Sequence, residues 1–422
     1  MPLPPWHRLQ LETTTTAFLG RFPDASLTSG QIPFPVPSLR GALAYWLRAL
    51  AGPYVGDEIS QLLRVESELF GTSSGNGRPS RILLRSEKVP TSTPPDKAEV
   101  GKGYWDLAYL MGPGLTSKNY PKPRRLRPRH ITVFLRNLGG PLHADLFLSA
   151  LWALRTFGGI GARSRRGFGT LSIGDQGWTI PTERFQKGWL IRNDIRDLEV
   201  VSECVEAALA DLGIPRGRFV GPPAYPCFVH GAFRVEEHFL DAKGTDLLHL
   251  ASVGRLLRNF RHPITNSKGR PITRGYDEVI RPFSMGMAPK RSFRDGALGL
   301  PVVYTLGGDD NSATVEPVAA DEIVRRASPL WLRVTLVSRN VSRKWRLRSL
   351  AFYSEWLPED VKLRVKSKGR MIDIRKPSPG EVRETIDSWF AHVKNSGLEL
   401  MCSLSADISD ESVRESASAD LK

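Results

Sequence analysis

The sequence has few cysteines: Cys204, Cys227 and Cys402 are the only three in 422 residues. They lie far apart without ligand-like spacing, which argues against a disulfide framework and against a cysteine zinc site. No apolar run approaches the roughly 18 residues that a membrane-spanning helix requires. The first residues lack a charged start followed by an apolar core, so no signal peptide is expected. The expected class is a soluble cytoplasmic protein.

The sequence also lacks the motifs of common catalytic sites. Its eight histidines form no HExxH motif and no paired metal-ligand spacing. It contains no Gly-x-Ser-x-Gly nucleophile elbow and no Gly-Lys-Ser/Thr triplet of a Walker loop. We therefore expect no catalytic residues, no metal and no cofactor.

Acidic residues are outnumbered, with 44 aspartates and glutamates against 59 lysines and arginines and a formal net charge of +15. Such an excess predicts affinity for a polyanion, above all nucleic acid. Forty-three of the basic residues are arginine, whose planar guanidinium binds phosphates and stacks on bases. A GC-rich genome would explain arginine in place of lysine, but it would leave the net charge unexplained.

The first half of the chain predicts a β-α-β-β-α-β order, the order of a ferredoxin-like, RRM-like unit. Alternation and β-branched residues indicate strands, and apolar spacing of three and four indicates helices. The predicted elements are a strand at 7–18, helices at 38–50 and 58–70, strands at 81–85 and 130–136, a helix at 144–157 and a strand at 168–173.

The second half permits a second copy of this unit, although its order is less clear. It predicts helices at 246–260 and 379–395, and strands at 298–306, 330–337 and 398–405. The predicted fold class is α+β, with two ferredoxin-like domains in tandem carrying glycine-rich loops and insertions. The domains are 1–195 with a basic insertion near 90–129, a linker at 196–221, a second domain at 222–405, and a disordered tail at 406–422.

Residues 158–171, GGIGARSRRGFGTL, combine five glycines with three arginines. A dinucleotide fingerprint needs a strand before the glycines and a helix after them, and here the order is reversed. Glycines allow positive φ angles and close approach of backbone N–H groups to a ligand. We therefore interpret Gly161, Arg163, Arg165 and Arg166 as residues that bind a sugar-phosphate backbone. The alternative is a structural loop, in which some of these arginines only brace the turn. Phe168 either stacks on a base or belongs to the core.

Further arginines occur in groups that could face the same polymer. Arg40 and Arg48 lie two turns apart on one helix face, and Arg78 and Arg81 flank a strand. The remaining candidates are Arg124 and Arg125 in the basic, proline-rich arm 116–129, and Arg258, Arg261 and Arg274 in the second half. For each group the alternative is a solvated face, because charged runs usually face water.

The segment LWALRTFGGIGARSRRGFGTL resembles the glycine-rich signature of the RAMP superfamily of CRISPR-associated proteins. The segments PSLRGALAYWLRAL and ESELFGTSSGNGRPSRILL look like the other half of that pattern. The pattern around Trp46 and Arg48 looks most like the tandem-RAMP subunit of the type III-B Cmr effector complex. The segments GALGLPVVY and RRASPLWLRV of the second half also resemble that subunit.

The resemblance implies two ferredoxin-like domains in a non-catalytic RNA-binding subunit used in antiviral defence. Such a subunit contacts the 3′ region of the guide RNA, helps to engage target RNA, and has other RAMP subunits as neighbours. The family often has lysine where Arg40 stands, and this change keeps the charge. The second half has no clear glycine-rich loop of the GARSRRGFG kind. The resemblance therefore does not say which of its residues contact RNA.

Two other function classes stay open. One is a metal-independent RNase that processes guide precursors, with His7 or His130 as general acid or base. A core or edge role is the more common explanation for a histidine on a strand. The other is a structural subunit that contacts only protein.

Overall fold

The computed structural model describes residues 3–20, 31–73, 77–116, 124–173, 180–240, 244–265, 271–305, 312–320, 322–336, 344–367 and 369–405. Helices and antiparallel sheets are both abundant in these residues, which confirms the predicted mixed α+β content. The segment 406–422, for which disorder is predicted, lies outside the described residues.

The residues up to 173 form eight strands and six helices within the described ranges. They are β1 (His7–Thr13), β2 (Ala17–Leu19), β3 (Gln31–Pro33), α1 (Val36–Val55), α2 (Ile59–Phe70), β4 (Ile82–Ser86), β5 (Lys88–Pro90), α3 (Lys97–Val100), α4 (Tyr104–Met111), α5 (Pro113–Thr116), β6 (Arg124–Leu126), β7 (Arg129–Asn137), α6 (Pro141–Phe157) and β8 (Leu171–Ile173).

Four of these strands form an antiparallel sheet in the order β4-β7-β1-β8. Since α1 follows β1 and α6 follows β7, the chain order is the predicted β-α-β-β-α-β. Alternate strand residues such as Leu9, Leu11, Val133 and Leu135 are buried in one cluster with the apolar sides of α1 and α6. This burial of apolar surface is the main force that holds the helices against one face of the sheet.

Two predicted strands of the first unit are shorter than expected. The strand predicted at 7–18 is two strands, because the chain bends at 14–16 and β2 pairs with β6. The strand predicted at 168–173 begins only at Leu171, since the preceding residues belong to the glycine-rich loop.

The residues after 180 add two helices and then the second unit. The elements are α7 (Lys187–Arg192), α8 (Leu198–Asp211), β9 (Phe233–Leu240), α9 (Asp246–Arg261), β10 (Ile264–Thr265), β11 (Pro271–Ile272), α10 (Arg281–Ser284), β12 (Val302–Thr305), β13 (Ser312–Ala319), β14 (Glu322–Ile323), β15 (Leu330–Leu336), β16 (Trp345–Phe352), β17 (Lys362–Ser367), β18 (Arg370–Ile374), α11 (Pro379–Asn395) and β19 (Leu400–Ser405).

The second unit repeats the topology of the first. Its sheet has the order β15-β16-β9-β19, with α9 after β9 and α11 after β16. Each strand therefore holds the same place as its counterpart in the first sheet. The strand predicted at 298–306 is β12, which lies in a separate sheet of order β12-β13-β17-β18.

The prediction of a linker at 196–221 needs correction. Residues 198–211 form α8, and its side chains Val201, Val205 and Leu209 are fully buried in the cluster of the first unit. The predicted break starts only at Leu212, which caps this helix. The glycines and prolines that indicate a linker all lie after this helix, so they mark only the last part of the predicted linker.

The insertion between β5 and β6 connects the two units. Its helix α4 packs along α9, and Leu107, Leu110 and Met111 are buried in the cluster that forms the second core. The insertion predicted as a basic arm is therefore partly a packed helical segment. Residues 117–123 of that arm lie outside the described residues.

Among the described residues, no helix combines the length and the apolarity needed to cross a bilayer.

Candidate nucleic-acid interface

The glycine-rich loop between α6 and β8 lies against β2. Gly161 has a φ of 81°, and a Cβ at this position would lie 2.4 Å from the carbonyl oxygen of Phe18. The neighbouring Ala162 donates its N–H to the same oxygen at 2.7 Å. The close backbone approach that we predicted for Gly161 is therefore made to Phe18 of the chain itself. Gly161 shapes the loop through this approach, and its RNA contact stays a prediction.

Phe168 belongs to the core. Its side chain is fully buried, and its ring centroid lies 5.2 Å from that of Phe18. A base cannot stack on a ring that has no exposed face, so the stacking role proposed for Phe168 is wrong. The alternative that we gave beside it, a core residue, is the one observed.

Arg165 joins the two units. Its guanidinium donates a hydrogen bond to the carbonyl of Ser328 and lies over the rings of Trp331 and Tyr45 at 4.4 Å and 5.4 Å. Its own carbonyl accepts a hydrogen bond from the N–H of Leu332 at 2.9 Å. These contacts use the side chain within the protein, so Arg165 braces the loop against the second unit.

Arg163 and Arg166 meet Arg261 of α9, and we call these three residues the junction cluster. Burial, together with the charges of Arg163 and Arg261, lowers the pKa of Arg166 to about 9. Arg166 donates to the carbonyl of Leu110 at 3.0 Å. None of the three forms a close ion pair among the described residues. Burial tends to lower the pKa of Arg261, but Tyr109 and the nearby carboxylate of Asp295 raise it overall. The cluster therefore concentrates positive charge where the two units meet.

The neighbours of the junction cluster leave room for its side chains. A Cβ on Gly112, at the end of α4, would lie 2.9 Å from Nη2 of Arg163, so glycine there makes space for the guanidinium. The Tyr109 hydroxyl is hydrogen-bonded to Arg261. The ring of His262 lies 5.6 Å from the ring of Tyr109. Aromatic and cationic groups are thus side by side.

The candidates on α1 and after α2 are distributed along another surface. Arg40 is exposed and donates to the carbonyl of Phe70. Arg48 and Arg78 form ion pairs with Glu66 and Glu68, respectively. Arg81 is exposed, and its side chain forms no ion pair within the described ranges. The two paired arginines are partly neutralised, which weakens the case for phosphate contact there.

Arg125 is a structural residue. Its side chain is 2% exposed and donates to Glu99 at 2.6 Å. A buried and paired guanidinium cannot reach an RNA backbone, so this site prediction is corrected. The neighbouring Arg124 is half-buried and lies 3.5 Å from the hydroxyl of Thr91.

The remaining candidates of the second half differ from each other. Arg258 forms an ion pair of 2.5 Å with Asp106 of α4, and Arg255 contacts the same carboxylate at 3.0 Å. Arg258 therefore helps to fasten the insertion to α9. Arg274 is exposed, with no side-chain partner among the described residues.

Part of the positive charge is buried between the units, at positions that the sequence analysis missed. Arg333 of β15 is 1% exposed and donates to the carbonyls of Gly158 and Leu171 at 3.2 Å and 2.7 Å. Arg348 of β16 pairs with the buried Glu237. An arginine in the middle of an apolar strand such as LWLRVTLV was the available signal.

The two histidines considered for RNA cleavage lie on opposite faces of the first sheet. His7 shares the parity of the buried Leu9 and Leu11, and burial lowers its pKa. His130 pairs across the sheet with Glu12, on the other face. They cannot act together as an acid–base pair. Among the described residues no group of histidine, cysteine, aspartate and glutamate is arranged to hold a metal ion.

Comparison with known proteins agrees with this architecture. Residues 10–172 match the model of the RAMP superfamily. Over 152 residues the chain is 32% identical to the CRISPR system Cmr subunit Cmr1-1 of Pyrococcus furiosus, covering 32% of this chain and 39% of that protein. Over 164 residues it is 28% identical to Cmr1-2 of the same organism, covering 33% of this chain and 82% of that protein.

The fold is similar to that of a solved relative. The crystal structure of Cmr1 from Pyrococcus furiosus in its apo form matches with a TM-score of 0.52 and 19% identity, covering 91% of this chain and 96% of that chain. This likeness extends over both units. The segment matched in sequence contains the first unit and its glycine-rich loop. Residues 10–172 are therefore similar to the RAMP superfamily, and the chain resembles the Cmr subunits of CRISPR systems over about a third of its length.

Proposed function

We propose that this chain is a non-catalytic RNA-binding subunit of a type III-B Cmr effector complex. In this role it contacts the 3′ region of the guide RNA and helps to engage target RNA in antiviral defence. Its other partners are RAMP subunits of the same complex, in the cytoplasm. The sequence likeness to Cmr subunits and the match of residues 10–172 to the RAMP model support this assignment.

We also propose that both units are ferredoxin-like, RRM-like domains. The shared strand order and the placement of the helices support this description. Because α8 is buried with the first core, the boundary of the first domain falls after Asp211. The second domain then begins before β9 and ends with β19.

The junction cluster is the observation that carries the RNA-binding proposal. Arg163, Arg166 and Arg261 lie close together and form no close ion pair among the described residues, although the carboxylate of Asp295 acts on Arg261. Three guanidinium groups repel each other, and a phosphate between them would replace that repulsion with charge-assisted hydrogen bonds. The cluster draws on both units, so a bound strand would cross the boundary between them.

A salt titration tests this proposal. The variant R163Q/R166Q/R261Q removes the cluster, and fluorescence anisotropy measures its binding to a labelled single-stranded RNA. We expect at least ~10-fold weaker binding at ~0.1 M salt and a salt slope reduced by about 2, because single strands contribute about 0.7 per phosphate contact.

A matched control removes three charges that are already neutralised. Arg184, Arg196 and Arg216 are ion-paired with Asp211, Asp194 and Glu206. The variant R184Q/R196Q/R216Q has the same formal charge as the test variant and should keep nearly the full affinity. If both variants lose affinity equally, net charge alone attracts RNA and the junction cluster has no specific role. The single variant R163Q is the folding control. Of the three side chains in the junction cluster, that of Arg163 makes the fewest internal contacts, so its loss should least disturb the fold.

A further inference from the structure

The face of the first sheet that points away from α1 and α6 carries arginine and aromatic side chains. Arg8 of β1 lies opposite Phe134 of β7 in the register, and Arg85 of β4 lies opposite Phe134 from the other side. Arg136 follows on the same face of β7, while Trp6 directly precedes β1. We call Trp6, Arg8, Arg85, Phe134 and Arg136 the stacked face.

The side chains of this face form a ladder. The Cζ atom of Arg85 lies 4.6 Å from the ring centroid of Trp6 and 4.6 Å from that of Phe134. The Cζ atom of Arg136 also lies 4.6 Å from the ring centroid of Trp6. The two guanidinium groups are therefore held by aromatic rings on this face of the sheet.

Stacking leaves the hydrogen-bonding capacity of these arginines unused. A guanidinium that lies on a ring keeps its N–H donors at the edge, whereas an ion pair engages them. Within the described part of the chain, Arg8, Arg85 and Arg136 form no ion pair with a carboxylate, unlike Arg48 and Arg78. The Nε atom of Arg136 is buried without a hydrogen-bond acceptor among the same residues.

Positive charge without an internal carboxylate is available to an external anion. The acidic residue on this side of β1 is Glu12, four residues beyond Arg8 and opposite His130. The end of the face that carries the ladder therefore has cations, rings and Leu83, which lies opposite Arg136, but no acidic residue on this part of its strands. Cationic groups interleaved with aromatic rings match single-stranded nucleic acid, whose phosphates bind the cations and whose unpaired bases stack on rings and guanidinium planes.

We propose that the stacked face is a second RNA-binding surface of this chain, separate from the junction cluster. Arg8, Arg85 and Arg136 bind phosphates of a single strand, and Phe134 with Trp6 supports unpaired bases. The surface lies on the β4 side of the sheet, whereas the glycine-rich loop leads into β8 at the opposite edge. This inference rests on the proposed function, because it assumes that the chain binds RNA.

The test uses the 422-residue chain and a fluorescein-labelled oligouridylate. For R8Q/R85Q/R136Q we expect at least ~10-fold weaker binding at ~0.1 M salt, with a salt slope smaller by about 2. For W6A/F134L, which keeps all three charges, we expect a loss of roughly 5-fold or more with an unchanged slope, because stacking is lost while phosphate contacts remain. The variant R184Q/R196Q/R216Q is again the charge-matched control.

Ultraviolet crosslinking of the unmodified chain to the same probe gives a readout that needs no substitution. Crosslinked peptides that contain Trp6 or Phe134 support the stacked face. If such peptides are missing and R8Q/R85Q/R136Q binds as tightly as the control, while the junction variant binds weakly, the stacked face is not an RNA site and the proposed function stands. If the unmodified chain does not bind RNA even at low salt, both proposals fail.

Discussion

Arg165 of the glycine-rich loop lies over the indole ring of Trp331, with 4.4 Å between its Cζ atom and the ring centroid. The two residues come from different units, and the same guanidinium donates to the carbonyl of Ser328. The loop that carries the family signature therefore joins the two halves of the molecule. Of its three arginines, Arg165 is engaged inside the protein, whereas Arg163 and Arg166 belong to the junction cluster.

The different surroundings of Arg165 and Arg163 predict different effects of their removal. R165A loses the ring contacts and the hydrogen bond to Ser328, so we expect a loss of about 1–3 kcal/mol in the free energy of unfolding. R163A loses no comparable internal contact, so we expect a change within about 0.5 kcal/mol together with weaker RNA binding. Urea denaturation and RNA anisotropy on both variants measure the contrast. A larger loss of stability for R163A than for R165A would contradict it.

The burial of Phe168 predicts a stability effect without an effect on RNA binding. F168A leaves a cavity beside Phe18, so we expect a loss of about 3–5 kcal/mol in the free energy of unfolding. F168L retains most of the volume and should lose less than about 1.5 kcal/mol. Thermal and urea denaturation measure both values. A folded F168L that binds RNA much more weakly than the unmodified chain would show that our assignment of Phe168 to the core is incomplete.

The buried carboxylate of Glu237 neutralises arginines between the units. It is 4% exposed and pairs with Arg348 and with Arg346, the latter at 3.1 Å. E237Q leaves these cations buried without their counter-charge, so we expect a loss of about 3–5 kcal/mol in the free energy of unfolding. E359Q, at an exposed position, is the control and should change it by no more than about 0.5 kcal/mol. Equal denaturation midpoints for both variants would contradict the role of Glu237.

The capping box of α11 predicts a pH dependence of stability. Hydrogen bonds from the N–H of Ser378 and the hydroxyl of Ser292, with Arg294 nearby, lower the pKa of Glu381 from 4.5 to about 2. Because this pKa is lower in the folded state, the contribution of Glu381 is complete above about pH 4.5 and is lost as the pH falls toward 2. S378A removes the cap and should cost about 1 kcal/mol at neutral pH.

The comparison of E381Q with the unmodified chain measures that dependence. The difference in the free energy of unfolding should be largest at neutral pH and should shrink as the pH is lowered below 4.5, because the carboxylate is then increasingly protonated in the unfolded state. Urea denaturation at several pH values provides the measurement. A difference that stays constant across this range would exclude the carboxylate as its source.

Local patterns in the sequence identified the elements of the first unit well. The helices predicted at 38–50 and 144–157 lie within α1 and α6, and the strand predicted at 130–136 lies within β7. These elements bury one side, so the spacing of their apolar residues is directly readable. The predicted linker at 196–221 contains α8, because helical spacing alone does not show which core a helix packs against.

The candidate site was less predictable, because a guanidinium has the same sequence signature whether it binds RNA, a carboxylate or a backbone carbonyl. Positive charge alone gives Arg125 of the basic arm and Arg165 of the glycine-rich loop the same prediction as Arg163 and Arg166. Their partners determine the difference, and the partner of Arg165 lies 163 residues away. The stacked face is not predictable from the sequence for a related reason. Trp6, Arg85 and Phe134 are far apart along the chain and become neighbours only across the strands of the sheet.

The sequence by itself determined the α+β composition, the chain order of the first unit, the excess of positive charge and the likeness to RAMP proteins. Those features depend on composition and on spacing along a few turns or strands. The tertiary structure alone decided which arginines remain available for RNA. Arg333 and Arg165 donate to carbonyls of the other unit, while Arg163, Arg166 and Arg261 converge without a close ion pair among the described residues. Such pairing depends on long-range packing, which local patterns do not encode.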